Sequence, residues 1–283
     1  MESRFAIPAD MRASVFFDGA EAPARYSRFW MLLVLSSIIA SAGVVADSTA
    51  AVIGAMIVAP LLGPIQGTML ATVLGDRANL VRSLLLVVAG AAVAVAIGYA
   101  IGLTVAGDVI AATNTQVAGR VSPRLIDLLA ALGTGVVGSV ALVRRDISDT
   151  LPGVAIAISL VPPLTVVGLT LELGAVGEAF GALLLFVTNV VAIIATGIVV
   201  MSFYGVNKLA SAERIDGSRR ASLRKPVVLL LSMLIVIGVP LSLTSIQIGA
   251  KSIVERVVVD EVEAWSADAG WSIQSIDYST VEL

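Results

Sequence analysis

Asp47-Ser-Thr-Ala-Ala-Val52-Ile-Gly-Ala-Met-Ile-Val-Ala-Pro60-Leu-Leu-Gly63-Pro64 is an apolar run opened by an acid and interrupted by two prolines. Carried on to Leu74, the run is long enough to cross the roughly 30 Å of a bilayer's hydrocarbon, which takes about 20 helical residues. Proline has no amide hydrogen and clashes with the preceding turn, so a helix over Ala50 to Leu74 is expected to be kinked or discontinuous near Pro60.

The same plan recurs downstream. Pairing Asp47 with Asp149 also pairs Pro60 with Pro162, Leu62 with Leu164 and Thr68 with Thr170; after a short deletion, Leu84 and Gly98 meet Leu183 and Gly197. Leucine matches carry little weight in so apolar a chain. The shared spacing from an aspartate to a proline inside the run is the informative part.

Outward from these two stretches, seven runs of span length can be placed: Phe29 to Val45, Ala50 to Leu74, Leu80 to Val105, Pro123 to Val143, Thr150 to Leu171, Ala179 to Phe203 and Pro226 to Ile246. A repeat of three spans is odd, so its second copy runs upside down through the membrane. The expected fold is an all-α integral membrane protein of about seven transmembrane helices. It has a 3+3 inverted repeat with discontinuous second and fifth helices, and a small α+β extracytoplasmic C-terminal tail. Its parts are a cytosolic N-terminal segment (1–27), transmembrane repeat 1 (28–106), an outer loop (107–124), transmembrane repeat 2 (125–206), a basic cytosolic loop (207–225), the seventh helix (226–246) and an extracytoplasmic helix-strand tail (247–283).

Composition supports this solvent. The 283 residues are 58% hydrophobic and 14% charged, with a mean hydropathy of +0.98, which suits lipid and not water. Continuous runs such as Leu84 to Ile97 do not fit the alternating strands of a barrel. With the N-terminus inside, 14 of the 18 Lys and Arg residues fall on the cytoplasmic side, which sets N-in, C-out for a multi-pass protein of the cell membrane. Acids mixed with Arg4, Arg12 and Arg25 precede the first run, so it reads as a retained helix and not a cleaved leader.

Several chemistries are excluded by inventory. The chain has no Cys and no His, so disulfides, thiolate nucleophiles and imidazole metal sites or proton relays are absent. A net charge of -3 gives no reason to expect nucleic acid. No Gly-Lys-Ser or Gly-Lys-Thr phosphate loop occurs, no cofactor is called for, and an enzyme is the weakest reading.

Where a bilayer-embedded helix is unwound, its freed main-chain groups and polar neighbours can hold a solute near the midplane. The candidate substrate-binding residues are therefore Pro60, Gly63, Pro64, Gln66 and Thr68 around the first break, Ser159, Pro162, Pro163 and Thr165 around the second, and Asn189 with Thr188 in the sixth span. Each polar side chain can equally serve interhelical hydrogen bonding. Asp47 and Asp149 stand at helix starts, where a carboxylate caps backbone N–H groups or holds an ion. Glycines such as Gly90, Gly98, Gly133 and Gly135 allow close helix approach and suggest a homo-oligomer.

At Asp47-Ser-Thr-Ala and the run from Val52 to Pro64, the sequence resembles a bacterial and archaeal family of hydrophobic membrane domains, domain of unknown function 389, over most of Arg28 to Ser245. The resemblance implies a multi-spanning membrane protein and no particular substrate. The function expected is a secondary transporter or channel for a small solute or ion, with the lipid bilayer as its surroundings. The alternative is a non-transporting oligomeric scaffold or sensor whose tail meets a partner outside.

Overall fold

The computed structural model describes residues 6–105, 107, 109–144, 146 and 160–206. The expectations placed on Asp149, Ser159, the basic loop, the seventh helix and the C-terminal tail lie outside them. The described residues form helices joined by turns: α1 (Pro8–Val15), α2 (Ala22–Val45), α3 (Thr49–Val58), α4 (Leu62–Leu74), α5 (Arg77–Gly102), α6 (Thr115–Val121), α7 (Leu125–Val143), α8 (Val161–Glu172) and α9 (Val176–Phe203).

Four of these, α2, α5, α7 and α9, are each long and apolar enough to cross a membrane. The pair α3 and α4 passes the same test as one broken span, bent by 46°. Observed ends fall within a few residues of the expected ones, except that α2 starts at Ala22, earlier than Phe29, that the fifth run's expected start at Thr150 lies outside the described residues with α8 beginning at Val161, and that the segment expected as an outer loop contains α6.

Local chemistry accounts for the boundaries. Ser48 caps α3, its Oγ accepting from the Ala51 N–H at 3.4 Å. Ala59 leaves the helix in an extended conformation (φ -63°, ψ 127°), as a residue before proline prefers. Gly75, at φ 72°, ends α4 in the left-handed region, and Asp76 then caps α5 by accepting from the Asn79 N–H at 3.1 Å. Pro162 and Pro163 occupy the first turn of α8, where a missing N–H breaks no helical bond.

The core is built on the two short helices. Every residue of α8 from Val161 to Thr170 is buried, and so is α4 from Pro64 to Leu74 apart from Thr72. Helix α8 packs against α5, α9, α2, α3 and α6, whereas α4 packs against α5, α9 and α1. The α5–α8 contact is close on both sides: a Cβ on Gly168 would stand 2.2 Å from the Val95 carbonyl oxygen, and one on Gly98 would stand 2.5 Å from that of Thr165. Around this centre the long helices turn large apolar side chains outward, among them Met31 and Leu35 on α2 and Leu85 and Val88 on α5.

Candidate functional site

The break between α3 and α4 is the local feature with chemistry to offer. Pro60 supplies no donor to the Met56 carbonyl, and among the described residues no backbone N–H closes on the carbonyls of Met56, Ile57 or Val58. Ala59 still donates to Ala55 at 3.1 Å, so the helix is intact up to the break. Beyond it, Gly63 donates to Pro60 at 3.3 Å and α4 resumes.

The break opens on a cavity of about 580 Å³. Pro60 and Gly63 line one side. One face of α2, carrying Arg25, Arg28, Phe29 and Leu32, lines another, and the chain from Ala13 to Phe17 forms the remaining wall. Sequence reasoning treated Arg25 and Arg28 as a topology signal alone. The signal it missed is their spacing with Phe29 and Leu32, which puts all four on one stripe of a helix.

The N-terminal segment, expected as a cytosolic lead-in, is docked on the helical body. Met11, Val15 and Phe16 are buried, and α1 packs on α4. A polar network fixes it. Arg12 meets Asp76 at 2.9 Å and lies over the Phe16 ring, while the Asn79 amide donates to both Asp76 and Asp18 at 3.0 Å. Partial burial pulls the Asp76 carboxyl upward. The hydrogen bonds from Asn79 and the Arg12 guanidinium outweigh that and hold its pKa below the ordinary 3.8.

The polar residues singled out from the sequence divide into two groups. Gln66 donates through Nε2 to the Gly138 carbonyl of α7 at 3.0 Å; Thr68 donates to the Pro64 carbonyl and Thr165 to that of Pro162, both at 2.9 Å. These three serve packing and local backbone. Asn189 and Thr188, adjacent on α9, do not: both are buried, and Asn189 Oδ1 and Thr188 Oγ1 have no hydrogen-bond partner among the described residues. Pro64 is buried, and Pro162 and Pro163 are enclosed with the rest of α8.

Asp47 departs from its expected role. Ser48, and not Asp47, caps α3. Asp47 sits at φ 49° in the exposed turn before that helix and caps α6 instead, accepting from the Thr115 hydroxyl at 2.7 Å and the Gln116 N–H at 3.0 Å. The Thr115 hydroxyl bond, helped by the two backbone N–H groups and opposed by slight burial, holds its pKa below the ordinary value. The positive φ, which aspartate tolerates better than most residues, turns the carboxylate away from its own helix. Among the glycines of α7, a Cβ on Gly135 would run into Thr196 and Ile193 of α9, whereas Gly133 faces open space.

Among the described residues no cluster of acids forms a metal site. What the geometry of the described residues defines is a helical body with bilayer-length apolar helices around two buried short ones, and an interrupted helix beside a half-open cavity. Residues 56–195, from within α3 into α9, belong to the family described as domain of unknown function (DUF389). An uncharacterized protein of Methanocaldococcus jannaschii is 35% identical over 179 residues, covering 62% of this chain and 54% of the relative, so the match spans about half of that protein's length. No solved structure matches.

Proposed function

We propose that the chain is a multi-pass protein of the cell membrane, N-terminus inside and C-terminus outside, that moves a small solute or ion past its interrupted helix. The observation that carries this reading is the α3–α4 break: three unclosed carbonyls in a half-buried segment beside a cavity. In lipid an unsatisfied main-chain group costs several kcal/mol, so irregular backbone is tolerated only where protein or a hydrated cavity receives it.

A recurring order of helices, as an inverted repeat would produce, supports the reading. The order of a long helix, a short buried helix beginning beside prolines and another long helix occurs as α2, α4, α5 and again as α7, α8, α9. The counterpart of α3 would fall at residues 147–159, outside the described part. The bilayer, with further copies of the chain, would cover the outward apolar stripes of α2 and α5.

A second reading has its own observation. Gln66, Thr68 and Thr165 are occupied by protein partners, as in a sealed oligomeric scaffold or sensor. Flux separates the two. Purified protein in liposomes should pass at least one member of a panel of protons, sodium and small anions. Pro60→Ala, which restores the missing donor and straightens the span, should abolish that flux with helix content unchanged. Equal flux through the variant, or none across the panel from folded wild-type protein, would sink the transport reading.

A further inference from the structure

We propose that the cavity beneath the α3–α4 break binds an anionic amphiphile, with an oxyanion head on Arg28 and an apolar body along Phe29, Leu32 and Pro60. The inference rests on the chain lying in a bilayer, as argued above, but not on transport.

The two arginines of the cavity have different duties. Arg25 is a wall element: its Nη1 donates to the carbonyls of Ala13 and Phe16, and its Nη2 lies 3.3 Å from the Glu21 carboxylate. Its charge is balanced and its geometry fixed by the segment it holds. Arg28, one turn further along the same face, has no hydrogen bond or ion pair among the described residues. The cavity therefore keeps one uncommitted guanidinium at its rim. A guanidinium presents a planar fork of donors that matches a carboxylate or phosphate in two parallel bonds.

Ser14 and Glu21 also line the cavity, the Glu21 carboxylate being the one paired with Arg25, and the rest of the side chains in the wall are apolar. Phe29 is buried at 3% exposure, and Leu32 and Pro60 stand beside it. A Cβ on Gly63 would meet nothing within 4 Å, so the cavity floor at the break is open. At about 580 Å³ the space lies within the roughly 300–1,000 Å³ of ordinary ligand pockets. One positive rim group over an apolar pocket selects a ligand with one charge at one end. A compact inorganic anion leaves the pocket walls unpaired, and a cation is repelled by Arg28. Arg28 stands at the start of the apolar part of α2, the depth at which acidic lipid heads and fatty carboxylates reside.

Trp30 supplies a reporter, since its ring meets the Phe29 ring edge-on at 5.0 Å. Full-length protein with Trp265 and Trp271 changed to Phe, held in phosphatidylcholine nanodiscs, is titrated with oleate and with inorganic phosphate. A parallel series raises the phosphatidylglycerol content of the disc. The expected result is a saturable change in Trp30 emission with oleate, with phosphatidylglycerol or with both, and none with inorganic phosphate. Saturation by oleate alone identifies a free carboxylate, and saturation by phosphatidylglycerol alone a lipid head. Arg28→Gln should weaken binding about tenfold, Arg28→Lys should keep most of it, and Gly63→Leu, which fills the floor without altering charge, should abolish it. Equal titration of wild type and Arg28→Gln, saturation by inorganic phosphate, or no saturable change with any probe would overturn the proposal. Because the readout is binding at equilibrium, it can fail while flux persists, or hold where flux is absent.

Discussion

The Arg12 guanidinium meets the Asp76 carboxylate at 2.9 Å, tying the first helix of the described chain to the cap of α5 across 64 residues of sequence. Both side chains are largely enclosed, at 19% and 9% exposure, so the pair is screened less than a surface ion pair. Arg12→Ala leaves Asp76 with Asn79 alone and removes the cation above Phe16. Docking of α1 should weaken by about 1–3 kcal/mol. Amide exchange over residues 8–16 should accelerate accordingly, while exchange in α5 beyond its first turn stays as it was.

The same contact sets an acid limit. A carboxyl whose native pKa is depressed contributes stability above its unfolded value, here near 3.8, and loses it as pH falls through the native pKa. The N-terminal segment should therefore stay docked at neutral pH and release only below about 3.8. Asp76→Asn should remove that acid release, leaving a weaker, pH-independent association. Proteolysis of the segment as a function of pH measures both.

Helix α8 cannot back away from α5 to admit a methyl group. Gly168→Ala puts a Cβ against the Val95 carbonyl and the Tyr99 N–H, both backbone, and should destabilise by about 3 kcal/mol or more. Gly133→Ala enters open space on α7 and should gain up to about 1 kcal/mol from helix propensity. Thermal unfolding in detergent ranks the two.

Asp47 combines a left-handed backbone with an acceptor for α6. Asp47→Asn retains both and should leave exchange at the start of α6 unchanged. Asp47→Val loses the acceptor and strains the turn, so the Thr115 and Gln116 amides should exchange faster.

Asn189 separates a structural role from a functional one. Replacing a buried acceptor that has no partner with an apolar side chain of similar size should stabilise the fold by about 1–3 kcal/mol. Under the proposed transport function, Asn189→Leu should also reduce flux. A stabilised variant with full flux would remove Asn189 from the pathway.

Much of the helical layout was legible because proline, glycine and apolar run length act locally. The run from Ala50 to Leu74 with Pro60 inside it led to a broken helix, and α3 and α4 are broken there. What escaped the sequence depends on which way a side chain turns. The aspartate at 47 was read as the cap of its own helix, but a positive φ at one residue directs it to α6. The N-terminal segment was read as a cytosolic lead-in with no docking on the helices, although Met11, Val15 and Phe16 form an apolar face and Arg12 finds its counter-ion far along the chain. Gln66 was a reasonable candidate for solute contact; only the tertiary structure brings the Gly138 carbonyl within its reach.

The enclosure of α8 bears on how such a chain is made. Its 12 residues extend only about 18 Å, short of the hydrocarbon thickness, and they emerge from the ribosome before α9 exists to cover them. Taken by itself the helix is too short to stand across lipid as an independent stem. Its burial against both α5 and α9 makes its placement a cooperative closing step and not a separate insertion.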